Sequence, residues 1–400
     1  MKILLAAVMY SPNLGDGAIA ECFSREYENI CEGNKVEWLD FAGRSSFQLS
    51  NARLRTCLLS GLHALPKPLS NSISAKLVRK QIGKRLQPKF DSKFNKTKGL
   101  VIGGGQIFAD EGLNFPLKFA AIANEARMRK VPISIHGVGV SNGWSRKAKC
   151  LYAEVFQGGL LKSVAVRDET SKFRLKAYLN EVGVVFPGDI LVFPDPAFMA
   201  CETHPVVLLE KNGKPPTVGI GVIHPVVFKK LTNMGSAFSV YRFAEKYIDL
   251  AKSLVAEGFR VRFFTTGSGE DELMLGRVSS IVTRMNSECV DVITRPANPV
   301  ELMSVIANFD VLVAHRMHAN ILSYSYGVPH VGLRWDDKMD AFFNLIERSS
   351  FLLDGRMSKP SEITASVVKA FDQKIEGDMH SKLVHDAKRG VQYTSGALAL

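Results

Sequence analysis

Short apolar, β-branched runs alternate with longer amphipathic stretches along this chain, the pattern produced by βα units wound around parallel sheets. Runs readable as buried strands are Ile3–Met9, Val36–Phe41, Gly99–Ile102, Ile133–His136, Ser163–Arg167 and Val182–Phe186. Between them the spacing predicts helices near Gly17–Tyr27, Pro116–Arg129, Ser145–Gln157 and Glu169–Leu179. After a Pro-containing stretch, Pro187–Pro216, the pattern restarts with strands at Thr217–Ile223, Arg260–Thr265, Val290–Ile293, Val311–Ala314 and His330–Leu333. Helices there fit Val240–Glu257, Asp271–Met285, Pro299–Asn308, His318–Tyr326 and Asp337–Arg348. Two such sets in succession predict an α/β protein of two Rossmann-like domains facing a cleft. The first covers 1–205 with a helical insertion at about 44–98, and the second covers 206–372. Residues 373–400 read as a polar tail with a weak Gly-Ala-Leu end, a candidate for disorder with no assigned function.

Composition adds little to this except through charge. With 46% apolar and 22% charged residues over 400 positions, the chain can bury two ordinary cores. Its net charge of +12 is concentrated: residues 44–98 hold thirteen Lys/Arg and only Asp91 as an acid, while the rest sums to 38 minus 38. An evenly basic protein would suggest nucleic acid, whereas one basic segment suggests a single anionic contact surface. Leu54, Leu58, Leu62 and Leu65 recur there at roughly helical spacing, followed by Lys76, Arg79, Lys80, Lys84 and Arg85. That arrangement fits a helix facing an anionic membrane or a diphosphate-linked lipid, and equally one packed on the core with solvated lysines outside. The apolar run after Lys2 is too short for a signal peptide or a membrane span, and the six scattered cysteines form no CxxC pair. A reducing cytoplasm, with possible peripheral contact at the inner face of the membrane, is the expected location.

In open α/β sheets ligands sit at the carboxyl ends of strands, so the turns that follow the strands are where chemistry is sought. The first is Asn13-Leu14-Gly15-Asp16-Gly17, in which Asn13 and Asp16 can cap a helix or face the cleft. The second, Gly103-Gly104-Gly105-Gln106, fits an anion or sugar cradle, or close strand–helix packing, but neither a Walker loop nor a dinucleotide fingerprint. His136, followed by Gly137-Val138-Gly139, is a candidate acid, base or anion donor. Arg167-Asp168-Glu169-Thr170-Ser171 offers a guanidinium for a phosphate or carboxylate and an acid at a helix entry, or a structural Arg–Asp pair. Densest is His315-Arg316-Met317-His318, cationic-capable side chains after a very apolar strand, where packing alone would not require them. Lys338 with Asp337 follows the next strand, Gly327-Val328-Pro329 having led into it. No metal-ligand cluster is apparent.

Taken in order, Asn13-x-Gly-Asp16, Gly103-Gly-Gly105 with Asp110, Gly137-Val-Gly139, Arg167-Asp168-x-x-Ser171, Arg316-x-His318 with Gly327-x-Pro329, and Asp336/Asp337-Lys338 resemble the polysaccharide pyruvyl transferase family. The resemblance runs from about residue 10 to 340. It implies a GT-B-like fold, phosphoenolpyruvate as donor substrate with no other cofactor, and a glycan or lipid-linked oligosaccharide acceptor that becomes a pyruvate ketal. It also implies that the first domain serves the acceptor and the second the donor. By the same resemblance Arg167, Arg316 and His318 would hold the donor's phosphate and carboxylate, with His136 nearby. His318 and His136 are the candidate acids, and Asp16 or Asp168 the candidate base. Asn13, Gly104, Gly105, Gln106 and Lys338 complete the expected substrate contacts. Two other readings share the fold: a nucleotide-sugar glycosyltransferase and a non-catalytic glycan-assembly subunit.

Overall fold

The computed structural model describes residues 1–30, 32–48, 67–210, 213–229, 240–375 and 377–399. The first sheet is built from β1 (Lys2–Ala7), β2 (Lys35–Asp40), β3 (Gly99–Gly103), β4 (Ile133–Val138), β5 (Leu161–Val166) and β6 (Ile190–Val192), in the order β2-β1-β3-β4-β5-β6. The second contains β7 (Thr217–Gly221), β8 (Arg260–Phe264), β9 (Val290–Val292), β10 (Val311–Ala314), β11 (His330–Arg334) and β12 (Leu352–Asp354), in the order β12-β11-β10-β7-β8-β9. All pairings are parallel. Central strands such as β3, β4 and β10 are buried along their whole length, which is why they read as continuous apolar runs rather than alternating ones. Two six-stranded parallel sheets flanked by helices and facing a cleft make this a GT-B-like α/β fold. In each sheet the strand order reverses once, between β1 and β3 and between β7 and β10, and the ligand-binding crevice belongs outside those carboxyl ends.

Three local differences from expectation have physical reasons. Val182–Phe186 is no strand: the preceding helix ends at Glu181, Gly183 takes a positive φ of 70°, and Val185 is 81% exposed, so the run turns Val184 into the core with Val182 and Phe186 half-buried against it. The sixth strand is instead Ile190–Val192, paired with Val164–Val166. At the other sheet's edge, Leu352–Asp354 adds a strand too short to register as a periodic run.

The third difference is larger. Residues Gly377–Ala399 form a helix of 23 residues rather than a disordered tail. Leu383, Val384, Ala387, Gly390, Val391, Thr394 and Leu398 share its buried face, at the spacing of one helical stripe. That stripe returns to the first lobe: Leu398 covers Gly99, Gly390 lies against Phe193, and the Thr394 hydroxyl meets His136 Nδ1 at 2.8 Å. The helix therefore ties the end of the chain to the sheet it began with.

In the basic segment, Lys67–Gln81, Ile82–Leu86, Gln87–Lys89 and Phe90–Phe94 are helical. The leucine pattern at 54, 58, 62 and 65 lies outside the described residues. Among the described residues no helix is long and apolar enough to cross a membrane.

Candidate active site

The helix Leu14–Ile30 begins where β1 ends, and it is the element on which the two lobes meet. Its first turn carries two glycines because the other lobe comes too close for side chains. A Cβ on Gly15 would lie 2.6 Å from His318 Cβ, and one on Gly17 would lie 2.6 Å from Pro299 Cγ. Hydrogen bonds fasten the same junction. Leu14 N–H donates to the Thr266 carbonyl at 2.7 Å, and the Thr266 hydroxyl donates to Asn13 Oδ1 at 2.7 Å. Arg295 from the second lobe donates to the carbonyls of Pro12 (3.3 Å) and Phe47 (3.0 Å). Asn13 also turns Nδ2 to Asp16 Oδ2 at 3.3 Å and so holds the Asp16 carboxylate.

His318 lies in the first turn of the helix Met317–Ser325, buried between two carboxylates. Its Nδ1 is 3.7 Å from Asp16 Oδ1 and its Nε2 is 3.7 Å from Asp195 Oδ2. Both separations exceed a direct hydrogen bond, and they are short enough for strong charge coupling. Asp195 comes from the crossover that follows β6, and its side chain is 3% exposed. Its Oδ1 accepts the Ala197 N–H at 3.0 Å, which caps the short helix Pro196–Met199 and fixes the direction in which Oδ2 points. Burial alone would raise this carboxyl; the pull of His318, the Ala197 N–H and the Arg167 charge more than offset it and leave Asp195 below the usual range. It is therefore a carboxylate at neutral pH. Asp195 is not among the residues expected from the sequence, where its one mark is an acid between Pro194 and Pro196 shortly after a strand.

The residues expected to grip an anion fall into two groups. Arg167 packs its guanidinium over Gly139, where a Cβ would lie 2.6 Å from Cζ, and it pairs with Asp168 at 3.3 Å. Asp168 is mainly a cap: its Oδ1 accepts the Ser171 N–H at 2.6 Å at the start of Glu169–Glu181. Lys338, half-buried, enters the cleft from the second lobe. Burial lowers its amine, Asp336 at 3.4 Å partly restores it, and Arg167 pushes it down further. Arg316 is differently placed. Its Nε and one Nη bind the fully buried Asp271 Oδ2 at 2.9 and 2.6 Å, and that Nη also reaches the Ser268 hydroxyl at 3.3 Å. Much of the expected anion-binding capacity of Arg316 is thus taken up by an internal ion pair.

Two histidines are core groups. His136 is 1% exposed, and burial pushes it down to about 4, so its ring is neutral and serves the Thr394 contact. His315, among Phe228, Phe243 and Tyr247, is pushed down to about 3. The triple glycine is required by geometry: Gly104 and Gly105 have φ of 78° and 67°, and Ile19 lies 2.9 Å from where a Gly104 Cβ would be. The Gly104 N–H is already donated to the His136 carbonyl at 3.0 Å, so the loop is stitched to β4 instead of presenting a row of bare amides.

Asp16, Gly104, Gly105, Gln106, Asp110, Glu111, Phe115, Ser141 and Lys338 surround a cleft of about 290 Å³, near the lower end of ligand-site volumes. Of the expected residues, Asp16, Gly104, Gly105, Gln106 and Lys338 line it. His318 adjoins it through Asp16, and the charge of Arg167 bears on both Lys338 and Asp195. Asp110 holds the far wall, accepting the N–H groups of Leu113 and Ser145 at 3.1 and 2.9 Å. The lining thus combines the acidic side chains Asp16, Asp110 and Glu111 and an aromatic, Phe115, with the amine of Lys338.

The family model for polysaccharide pyruvyl transferases matches residues 13–337, most of the chain. Among curated proteins none matches. Among solved structures the chain resembles UDP-GlcNAc 2-epimerase from Methanocaldococcus jannaschii, at 11% identity and a TM-score of 0.53 over 98% of both chains. It also resembles a UDP-N-acetylglucosamine 2-epimerase from Listeria monocytogenes, described as putative, at 10% identity and a TM-score of 0.52, covering 97% of this chain and 94% of that one. At such identities the likeness is one of fold.

Proposed function

The chain belongs to the polysaccharide pyruvyl transferase family, and from that premise we propose that it transfers the pyruvyl group of phosphoenolpyruvate onto two hydroxyls of a sugar, as a cyclic ketal. The observation that carries this reading is the row Asp16, His318, Asp195, which crosses the lobe interface at 3.7 Å per step and abuts a cleft that Lys338 also lines.

The reaction needs a proton at the methylene carbon of the donor, which makes the adjacent carbon electrophilic. A first sugar hydroxyl then forms a C–O bond there, and a second displaces phosphate to close the ring. The two hydroxyl protons end on the new methyl group and on the released phosphate. His318 is the assigned proton carrier, with Asp16 between it and the cleft and Asp195 behind it as the fixed counter-charge. Asp195 touches no substrate and acts by positioning. Lys338, with Arg167 behind it, favours the donor's carboxylate and phosphate and stabilises the charge that builds on the leaving group. The acidic side chains of Asp16, Asp110 and Glu111 suit a neutral sugar as acceptor, whose hydroxyls they can accept and whose apolar face Phe115 can meet.

Thermal unfolding with candidate ligands tests this reading, because a ligand bound only by the folded state raises the midpoint. Phosphoenolpyruvate is expected to stabilise the protein, and Lys338→Met to abolish the shift. Stabilisation by a uridine or guanosine diphosphate sugar, with none by phosphoenolpyruvate, would decide for nucleotide-sugar transfer.

A further inference from the structure

The helix Lys67–Gln81 packs one face and leaves another without a partner among the described residues. Ala75, Val78 and, just beyond, Ile82 are buried, and they anchor the helix to the outer core of the first lobe. On the opposite side Ile73 and Leu77 are exposed, at 38% and 52%, although both are large and apolar. Lys80 and Lys84 continue the same line at i+7 and i+11 from Ile73, and Lys76 flanks it. All three lysines are exposed.

No acid occurs between residues 44 and 90. Asp91, which follows, is paired with Arg129, and Glu37 takes Lys93 and Lys2. The cations of this face therefore have no acidic partners among the described residues, while positive charge in the remainder of the chain is balanced by acids. Two exposed apolar side chains in line with lysines, whose stems can lie along an interface, suit a helix held on a lipid surface mainly by charge, with a small apolar contribution. Charge complementarity selects an anionic one.

We propose that the face formed by Ile73, Leu77, Lys76, Lys80 and Lys84 docks this protein on an anionic lipid bilayer. The position agrees with a use. The helix packs against Asn114–Met128, whose first turn supplies Phe115 to the cleft, so a docked protein holds the acceptor wall one helix away from the lipid surface. The docking itself does not rest on the pyruvyl reading, and it is measured without any turnover.

Co-sedimentation of the full chain with phosphatidylglycerol-containing vesicles and with phosphatidylcholine vesicles tests it. Binding is expected to the anionic vesicles at about 0.05 M salt, with release at about 0.5 M as screening shortens the reach of each charge. Each lysine near such a surface accounts for roughly a fivefold change in affinity, so K76Q/K80Q/K84Q is expected to weaken binding about 100-fold. I73S/L77S is expected to weaken it in a way that added salt does not reproduce. All five side chains are exposed, and unchanged thermal midpoints would show that both variants fold. Failure of the wild type to pellet with anionic vesicles would overturn the proposal. So would equal affinity of the wild type and the triple variant, or tighter binding to duplex DNA than to vesicles.

Discussion

Replacing Asp195 by Asn isolates the charge behind His318. The Asn carbonyl can still accept the Ala197 N–H, so the cap of Pro196–Met199 survives, and the change falls on the oxygen 3.7 Å from His318 Nε2. Two unit charges at that distance interact by about 4 kcal/mol at an effective dielectric near 20. Since each 1.4 kcal/mol is tenfold, loss of the counter-charge for a transiently protonated imidazole lowers kcat by about 100- to 1,000-fold. The buried carboxylate does not line the cleft, so KM for phosphoenolpyruvate is expected to move by less than about threefold. Steady-state phosphate release with saturating acceptor gives both constants, and repeating it from acid to alkaline pH shows whether the group governing kcat has shifted, as a positioning role requires. A kcat within about threefold of wild type and an unmoved pH profile would refute the assignment of Asp195, and with it the reading of His318 as the proton carrier.

Other substitutions probe neighbouring parts of the site. Arg316→Ala strands the buried Asp271 and is expected to cost about 3–5 kcal/mol in urea unfolding. R316A/D271N should recover much of that stability, and if it also recovered activity, Arg316 would be structural and not a donor contact. Gly15→Ala places a methyl group 2.6 Å from His318 Cβ, so it should reduce turnover at least about tenfold while costing about 1–3 kcal/mol; a fully active variant would show that the close approach is dispensable. Stability should also fall on mild acidification. His136 is held at about 4 when folded against about 6.5 unfolded, so the unfolded chain binds the extra proton between those values. The contribution is complete above about pH 6.5 and shrinks by about 3 kcal/mol as the pH drops to 4, with His315 and His330 acting in the same direction. Thermal midpoints from pH 7.5 to 5 read this, and a flat profile would contradict it.

Much of this architecture could be read from the chain because parallel strands buried on both faces are plain apolar runs, and because ligand groups follow strands. The turns after β1, β3, β5 and β10 were visible for that reason. What could not be read depends on partners distant in sequence. Arg316 looked like an anion clamp because Asp271, 45 residues earlier, shows no sign of meeting it. His136 looked available because its cover, Thr394, lies 258 residues later on a helix whose polar composition masks its apolar stripe. Asp195 hid in a proline-rich crossover that has no periodicity to mark it. Val182–Phe186 misled because a run of apolar residues at a helix end resembles a strand until the backbone turns at Gly183.

The central claim is tested most directly by following the carbon that is transferred. Phosphoenolpyruvate labelled with ¹³C at its central carbon, incubated with the protein and a glycan acceptor, should lose its enol signal and yield a quaternary ketal carbon attached to sugar, with one phosphate released per ketal. Release of phosphate with free pyruvate as the only labelled product, or no consumption of the donor across a panel of glycan acceptors, would contradict it.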